Sequence, residues 1–545
     1  MFNMVKGLGA GLVVALLAAC GSNTGTSAVA TSTARGTLDV NPPLRILSFD
    51  APALQAELAS NATAAALLPL WGNPTCGVDV YYVKFWTVGG AGETTESSGA
   101  LMVPTGAAPA CSGPRPIVLY AHGTNPDQTL NLANIVNPND SEGVSIAATF
   151  AAQGFIVVAP NFAGYDISTL GYYPWLNAVQ NSNEMIDMLA AARTALPNTM
   201  SSATSDSGKL LITGYSIGGY VAMATQRAIE AAGGTVTAAA PMSGPYAPEA
   251  FGDDIIFGAV NAGSTEFLPL TTTSYQHAYG NIYTATTDIY NPMYATGIET
   301  LLPSATPIDT IFAEGLLPEL QLFDNVTPTV TIPGNAMLSA ELTAALAVPS
   351  NPANPFTPLF DQGFGSSYLM INDYRVSYAI NAASFIDGAG PLAPAGSPPL
   401  VAAIPAMIPS PTLAPAFYLR QALNTNDLRN PVWAPHSPTL LCGGDADPTV
   451  FFSVNTGTMQ AFWSALPAGA LTVLDINATP AGPYAELQGA FQAHQASVLA
   501  FYESAAGGSL SPTAAEFMVV AQTHAAEAPF CSVAARSFFT EILGG

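Results

Sequence analysis

From residue 115 onward the chain alternates two kinds of segment, and this alternation restricts the fold more than any other feature. The runs PIVLYAHGT, FIVVAP, KLLITGYS and TVTAAAPMSG are continuously apolar and lack the period of two of a half-solvated strand. Between them, VSIAATFAAQG, NSNEMIDMLAAARTAL and IGGYVAMATQRAIEAAGG have helical spacing and end at glycines or turn residues. Strands buried on both faces that alternate with helices form a parallel sheet covered on each side. The expectation is an α/β fold with a mostly parallel central sheet.

The third run delivers a serine to a strand–helix junction. Gly214-Tyr215-Ser216-Ile217-Gly218 fits G-x-S-x-G, where small neighbours permit a sharp turn that lifts the hydroxyl clear of the sheet. With 48 glycines in the chain the short pattern is weak by itself, and its position between strand and helix gives it weight. A serine hydroxyl needs an imidazole to take its proton and a carboxylate to orient that imidazole.

The alternation stops at residue 246. Residues 246–436 are rich in Pro, Tyr and Asn, with helix-like pieces PIDTIFAEGLLPELQLF and NAMLSAELTAALA. The stretch GAGPLAPAGSPPLVAAIPAMIPSPTLAPA is too proline-dense for a helix or a central strand. SPTLLCGGDADPTV and ALTVLDI then read as strands and HQASVLAFYESAAGG as a helix. The expected division is a signal segment (1–19), a tether (20–40), core (41–245), a mainly helical cap insertion (246–436) and a second core part with a C-terminal tail (437–545).

In folds of this kind the order along the chain is Ser, acid, His. Asp445 and Asp447 end the strand SPTLLCGG, and Gly444, Asp447 and Val450 align with a G-x-x-D-x-x-V pattern, which favours Asp447 and leaves Asp445 as a turn residue. Of five histidines, His122 precedes the serine and His436 precedes the acid, while His277 falls in the cap as a packing residue. His494 follows the last strand and opens a helix, so it is the expected base; His524, in the tail beyond, is the weaker candidate. Two backbone donors must face the developing oxyanion, and the N–H groups of Ile217 and Thr124 are placed for it.

The N-terminus MFNMVK-GLGAGLVVALLAA-C has a short basic start and an apolar run too short to span a membrane. LAAC resembles the lipobox of bacterial lipoproteins, which implies lipidation of Cys20 and, with Gly21 next, an exported protein anchored at the outer membrane. An ordinary signal peptide with a stray cysteine is the alternative. An exported chain with four further cysteines suggests disulfides. Of three pairings, antiparallel pairing of DVYYVKFWTV with SSGALMVP favours Cys76–Cys111 together with Cys442–Cys531. No CxxC or HxxxH spacing occurs, so no metal is expected. Twelve basic against 37 acidic residues, a net charge of −25, disfavours nucleic acid as a partner.

HGT after one strand, APNFAGYD after the next, GYSIGG, the insertion, GGDADPTV and a late histidine together resemble the α/β-hydrolase superfamily over roughly residues 75–505. Their order is most similar to the secretory lipase family (the lipase A type of yeasts), with bacterial lipoprotein carboxylesterases beside it. That resemblance implies a serine esterase or lipase acting on a small-molecule or lipid ester through an acyl-serine, without a metal or organic cofactor; it says nothing of the oligomer. The chain departs from the family in its proline-rich cap segment and in some 35 residues beyond the last expected helix. Three rivals stand beside it. A prolyl-oligopeptidase-type peptidase would need a propeller for which residues 21–75 leave no room, and a polyester depolymerase would use the same triad. An inactive hydrolase fold serving as a surface-binding lipoprotein would not need all the triad candidates.

Overall fold

Nine strands make one sheet: β1 (Leu44–Phe49), β2 (Gly77–Val88), β3 (Thr94–Thr105), β4 (Gly113–Ala121), β5 (Ile156–Pro160), β6 (Thr204–Tyr215), β7 (Ala238–Met242), β8 (Thr439–Gly443) and β9 (Leu471–Asp475). Their spatial order is β1-β2-β3-β5-β4-β6-β7-β8-β9. β1 pairs antiparallel with β2, β2 with β3 and β3 with β5, and every pair from β5 to β9 is parallel. This computed structural model describes residues 33–544 except 138–140, 352, 385–413, 430–432 and 506–511. Cys20 and most of the proline-dense segment fall outside the described residues. Among the described residues no helix is long and apolar enough to cross a membrane.

The unbroken apolar runs follow from the position of their strands. In β5 and β7 every residue is buried, as are Pro116–Ala121 of β4 and Leu210–Tyr215 of β6. Helices such as Ala178–Ala195 and Ile217–Ala231 cover the sheet, so neither face meets water. The distal half of β2, by contrast, alternates buried and half-buried residues. The connection from β5 to β6 passes β4, so β4 lies between them. The carboxyl ends of β4 and β6 are therefore neighbours at the place where the strand order reverses, which is where open α/β sheets bind ligands.

This is the α/β-hydrolase fold with a large helical insertion. Strands β7 and β8 pair directly, and the chain between them forms helices that include Pro248–Ile256, Ser264–Tyr279, Ala336–Ala345, Asn372–Ser384 and Ala414–Thr425. Arg420, 5% exposed, ties two of these together: its guanidinium donates to Asp253 at 3.0 and 2.8 Å and pairs with Glu249 at 3.1 Å. A buried cation is tolerated because two carboxylates surround it. The expected helix in PIDTIFAEGLLPELQLF is shorter in the structure, Ile308–Ala313, because Gly315 takes a positive φ of 68° and Pro318 follows.

Both disulfides carry the expected pairing, Cys76–Cys111 and Cys442–Cys531. The β2–β3 register, Gly77 opposite Thr105, brings the first pair of cysteines together. The second ties β8 to the helix Thr523–Ile542, the last element of the chain.

Asp254 and Glu266 are half-buried on two insertion helices. Burial, with Asp253 and Asp309 respectively beside them, pushes each carboxyl up to about 7 from ordinary values of 3.8 and 4.5. Over that interval the unfolded chain has released both protons while the folded chain keeps them. Each group therefore subtracts stability as pH rises from about 4 to about 7, and no more above that. Thermal unfolding followed across this range should show the midpoint declining, with a shallower decline in the double variant Asp254→Asn/Glu266→Gln. Equal slopes in the two proteins would contradict the assignment.

Candidate active site

Ser216 occupies the turn between β6 and the helix Ile217–Ala231 with φ 59° and ψ −126°, a conformation that costs an L-residue about 1–3 kcal/mol. The surrounding backbone enforces it. Ser216 N–H donates to Met242 O at 3.0 Å, and Ser216 O accepts from Gly219 N–H at 2.8 Å. Both motif glycines are sites of close approach. A Cβ on Gly214 would lie 2.4 Å from Gly218 O, and one on Gly218 would lie 2.0 Å from Ala121 O at the end of β4. The turn can pack against β4 only if both positions lack side chains.

The hydroxyl meets His524. Its Nε2 is 2.9 Å from Ser216 Oγ, and its Nδ1 is 2.6 Å from Asp447 Oδ2. Asp447 is 1% exposed, and its Oδ1 accepts from the amides of Thr449 at 2.8 Å and Val450 at 3.1 Å. Those two donors and the imidazole fix the carboxylate so that Nδ1 carries the proton and Nε2 presents its lone pair to the serine.

The structure corrects the expected base. His494 does not open its helix but sits in the middle of Ala485–Ala505, against Phe530 at 5.8 Å between ring centroids, in a groove with Leu67 and Tyr484. The imidazole at Ser216 belongs to the next long helix, Thr523–Ile542, in the tail that the family resemblance left out. One sequence signal pointed there. Cys442 lies five residues before Asp447 and Cys531 seven after His524, so the pairing of those two cysteines already carries this helix to the acid loop.

The other singled-out residues lie as follows. Asp445 is exposed, with its amide donating to Asp475 at 3.1 Å. His277 stacks on Tyr172 at 3.8 Å, and the His436 side chain is 70% exposed. His122 is buried between Phe162 and Tyr165, with ring nitrogens 2.6 Å from Gly123 O and 3.0 Å from Asn161 O. Burial pushes its pKa down to about 4, so it stays neutral and holds the loop after β4.

That loop carries Thr124. The Gly123 amide is taken by Glu142, whose Oε1 accepts it at 3.0 Å along with the Tyr120 hydroxyl at 2.7 Å. Trp175 Nε1 donates to Thr124 Oγ1 at 3.1 Å, fixing the next residue. Ile217 is the first residue of its helix, where an N–H has no partner within the helix.

Two cavities meet at Ser216 and Thr124. One, of about 110 Å³, runs beneath the insertion and is lined by Phe251, Ile255, Phe267, Leu322, Met370 and Leu423 among others, none of them charged. The other, of about 380 Å³, is lined by His524 and by Asn61, Thr63, Ser145 and Ser532, and is far more polar. Among the described residues the one group of three side chains close enough to share a metal ion is Asp447, His524 and Glu527. Both imidazole nitrogens there are engaged, one with Asp447 and one with Ser216, so this arrangement has no free ring lone pair for a metal.

Known proteins share this architecture. The model of the prolyl oligopeptidase family matches residues 143–243. The chain is similar to the ligand-bound rice cell wall degrading esterase LipA of Xanthomonas oryzae, with 25% identity, 81% of this chain and 91% of that one covered, and a TM-score of 0.58. Another structure of the same esterase covers 93% and 99% at 23% identity and a TM-score of 0.61. A Legionella pneumophila structure covers 93% and 98% at 17% identity and a TM-score of 0.57. No curated protein sequence matches the chain. Fold and neighbours together make this a hydrolase.

Ser216→Ala and His524→Ala should each lower kcat by about 10⁴–10⁶-fold, and the double variant little further, since such residues act as a unit. Asp447→Asn should cost about 10⁴-fold through the wrong tautomer, whereas His494→Ala and Asp445→Asn should leave kcat near its starting value. Steady-state kinetics on the purified variants check the set, and a large loss in His494→Ala would contradict it.

Proposed function

We propose that the chain is a carboxylic-ester hydrolase of the secretory-lipase kind, working through an acyl-serine. Ser216 Oγ attacks the ester carbonyl as His524 Nε2 takes its proton. The amides of Ile217 and Thr124 hold the oxyanion. The imidazolium then returns the proton to the alcohol oxygen, and water, activated by the same imidazole, releases the acid.

The observation that carries this reading is the hydrogen-bonded chain Ser216–His524–Asp447 at the junction of two unlike cavities. His524 lines only the polar one, and the leaving oxygen must be within its reach, so the alcohol lies there. The acyl chain then enters the apolar cavity beneath the insertion. A peptidase reading draws on the matched family model, but the matched residues contain Ser216 and neither Asp447 nor His524. The hydrocarbon lining of the acyl side also suits an aliphatic ester better than a peptide bearing charges. The likeness to an esterase of Xanthomonas oryzae points the same way. Lipidation at Cys20 would hold the enzyme at the outer membrane, since the several acyl chains of a bacterial lipoprotein anchor firmly where one would not.

Hydrolysis of chromogenic esters, abolished in Ser216→Ala, tests the activity; cleavage of peptide anilides with no cleavage of esters would favour the peptidase. Along an acyl series kcat/KM should rise from acetate towards medium chains by up to about fourfold per methylene, the equivalent of about 0.8 kcal/mol each. A maximum at acetate with a steady fall beyond would contradict the acyl assignment. Cys20→Ala should move the protein from the membrane to the soluble fraction, and unchanged membrane association would remove the anchor.

A further inference from the structure

Glu527 lies one helical turn beyond His524 and is completely buried. Its Oε1 accepts a hydrogen bond from Ser243 Oγ at the end of β7 and lies 3.2 Å from the hydroxyl oxygen of Tyr215, at the end of β6, whose one proton goes to His524 O. Its other oxygen has no hydrogen-bond partner, and the Glu527 carboxyl lies within 4.8 Å of both the Asp447 carboxyl and the His524 imidazole. Gly444 leaves the room for it: a Cβ there would lie 2.2 Å from Glu527 Oε2. The titratable groups that face Glu527 are Asp447 from the loop after β8, Tyr215 of β6, Tyr246 beyond β7 and His524 on its own helix. No lysine or arginine pairs with it among the described residues.

Two carboxyls in contact, in a site without a fixed cation, cannot both be anions. The hydrogen-bond inventory decides which one carries the proton. Asp447 accepts from two amides and an imidazole and is built for the anion. Glu527 accepts from one hydroxyl and keeps an oxygen for a proton directed at Asp447. We propose that Glu527 is a positioning residue which, as a neutral carboxylic acid, donates a hydrogen bond to the Asp447 carboxylate and holds the acid–histidine pair in line with Ser216. The proposal rests on the reading of Ser216, His524 and Asp447 as the reacting triad. Burial, and then the charge of Asp447, pushes the Glu527 carboxyl well above the usual carboxylate range, consistent with the neutral form.

The donor anchors Asp447 beside the imidazole and also tempers its basicity. Losing it should both loosen the pair and make Asp447 a stronger partner for the imidazolium. A glutamine fits the same contacts, its carbonyl accepting from Ser243 and its N–H donating to Asp447.

The test joins spectroscopy to kinetics. The infrared difference between wild type and Glu527→Gln at neutral pH should contain the C=O stretch of a neutral carboxylic acid; a carboxylate band in its place overturns the proposal. Glu527→Ala should lower kcat by about ten- to a hundredfold, the worth of a hydrogen bond to a charged group, with KM unchanged. Its acid limb should shift to higher pH, and Glu527→Gln should recover most of the loss. Wild-type kcat with an unshifted limb in Glu527→Ala, or a glutamine variant as slow as the alanine one, also overturns it. The infrared band is read without turnover, so the failure of this proposal is distinguishable from full activity in Ser216→Ala, which would overturn the triad instead.

Discussion

One imidazole ring joins parts of the chain 308 positions apart, and the chemistry proposed for this protein depends on that bridge. His524 can stand between Ser216 and Asp447 only if the helix Thr523–Ile542 is fixed to the sheet. The Cys442–Cys531 bond attaches the helix to β8 beside the acid loop. Farther along, Arg536 donates to Trp71 O at 2.6 Å, and Phe539 is fully buried. At its start the Tyr215 hydroxyl bonds to His524 O, so the residue preceding the nucleophile also holds the backbone of the base. The nucleophile strand, the acid strand and the final helix thus form one rigid unit, which is what pre-organised catalysis requires.

Electrostatics in that unit are managed with hydrogen bonds, because cations are few: 12 lysines and arginines serve 545 residues. Asp447 is satisfied by amides and an imidazole, and Glu142 by an amide and a tyrosine hydroxyl. The insertion uses the other solution, Arg420 between two acids. A fixed cation beside Asp447 would stabilise its charge permanently and weaken its hold on the imidazolium that forms during the reaction. Neutral donors orient the carboxylate with a smaller cost of that kind.

Much of this architecture can be read from local sequence. Buried parallel strands announce themselves as continuous apolar runs, and GYSIGG marks the turn because Gly214 and Gly218 are demanded by backbone contacts within a few ångström. Asp447 over Asp445 follows from a short loop pattern, and the structure buries the first and exposes the second. The histidine could not be read in this way. Its position depends on where a helix some fifty residues past the last strand folds back, a tertiary fact with no local period. The order rule was satisfied equally by His494 and His524, and proximity to the last strand favoured the wrong one. Glu527 left no trace for the same reason, since an isolated acid on an alanine-rich helix looks like a solvated residue until burial is known. The insertion helix beginning at Ile308 was overextended because its apolar spacing continues past a glycine that breaks it.

The most direct test of the triad is where, and how fast, an alkyl fluorophosphonate reacts. Peptide mapping by mass spectrometry should find the adduct on Ser216 in wild type and in His494→Ala at comparable rates. In His524→Ala labelling of the same serine should be slower by orders of magnitude while the fold, followed by circular dichroism, stays intact. An adduct on another serine, or a His524→Ala protein that labels as fast as wild type, would contradict the account.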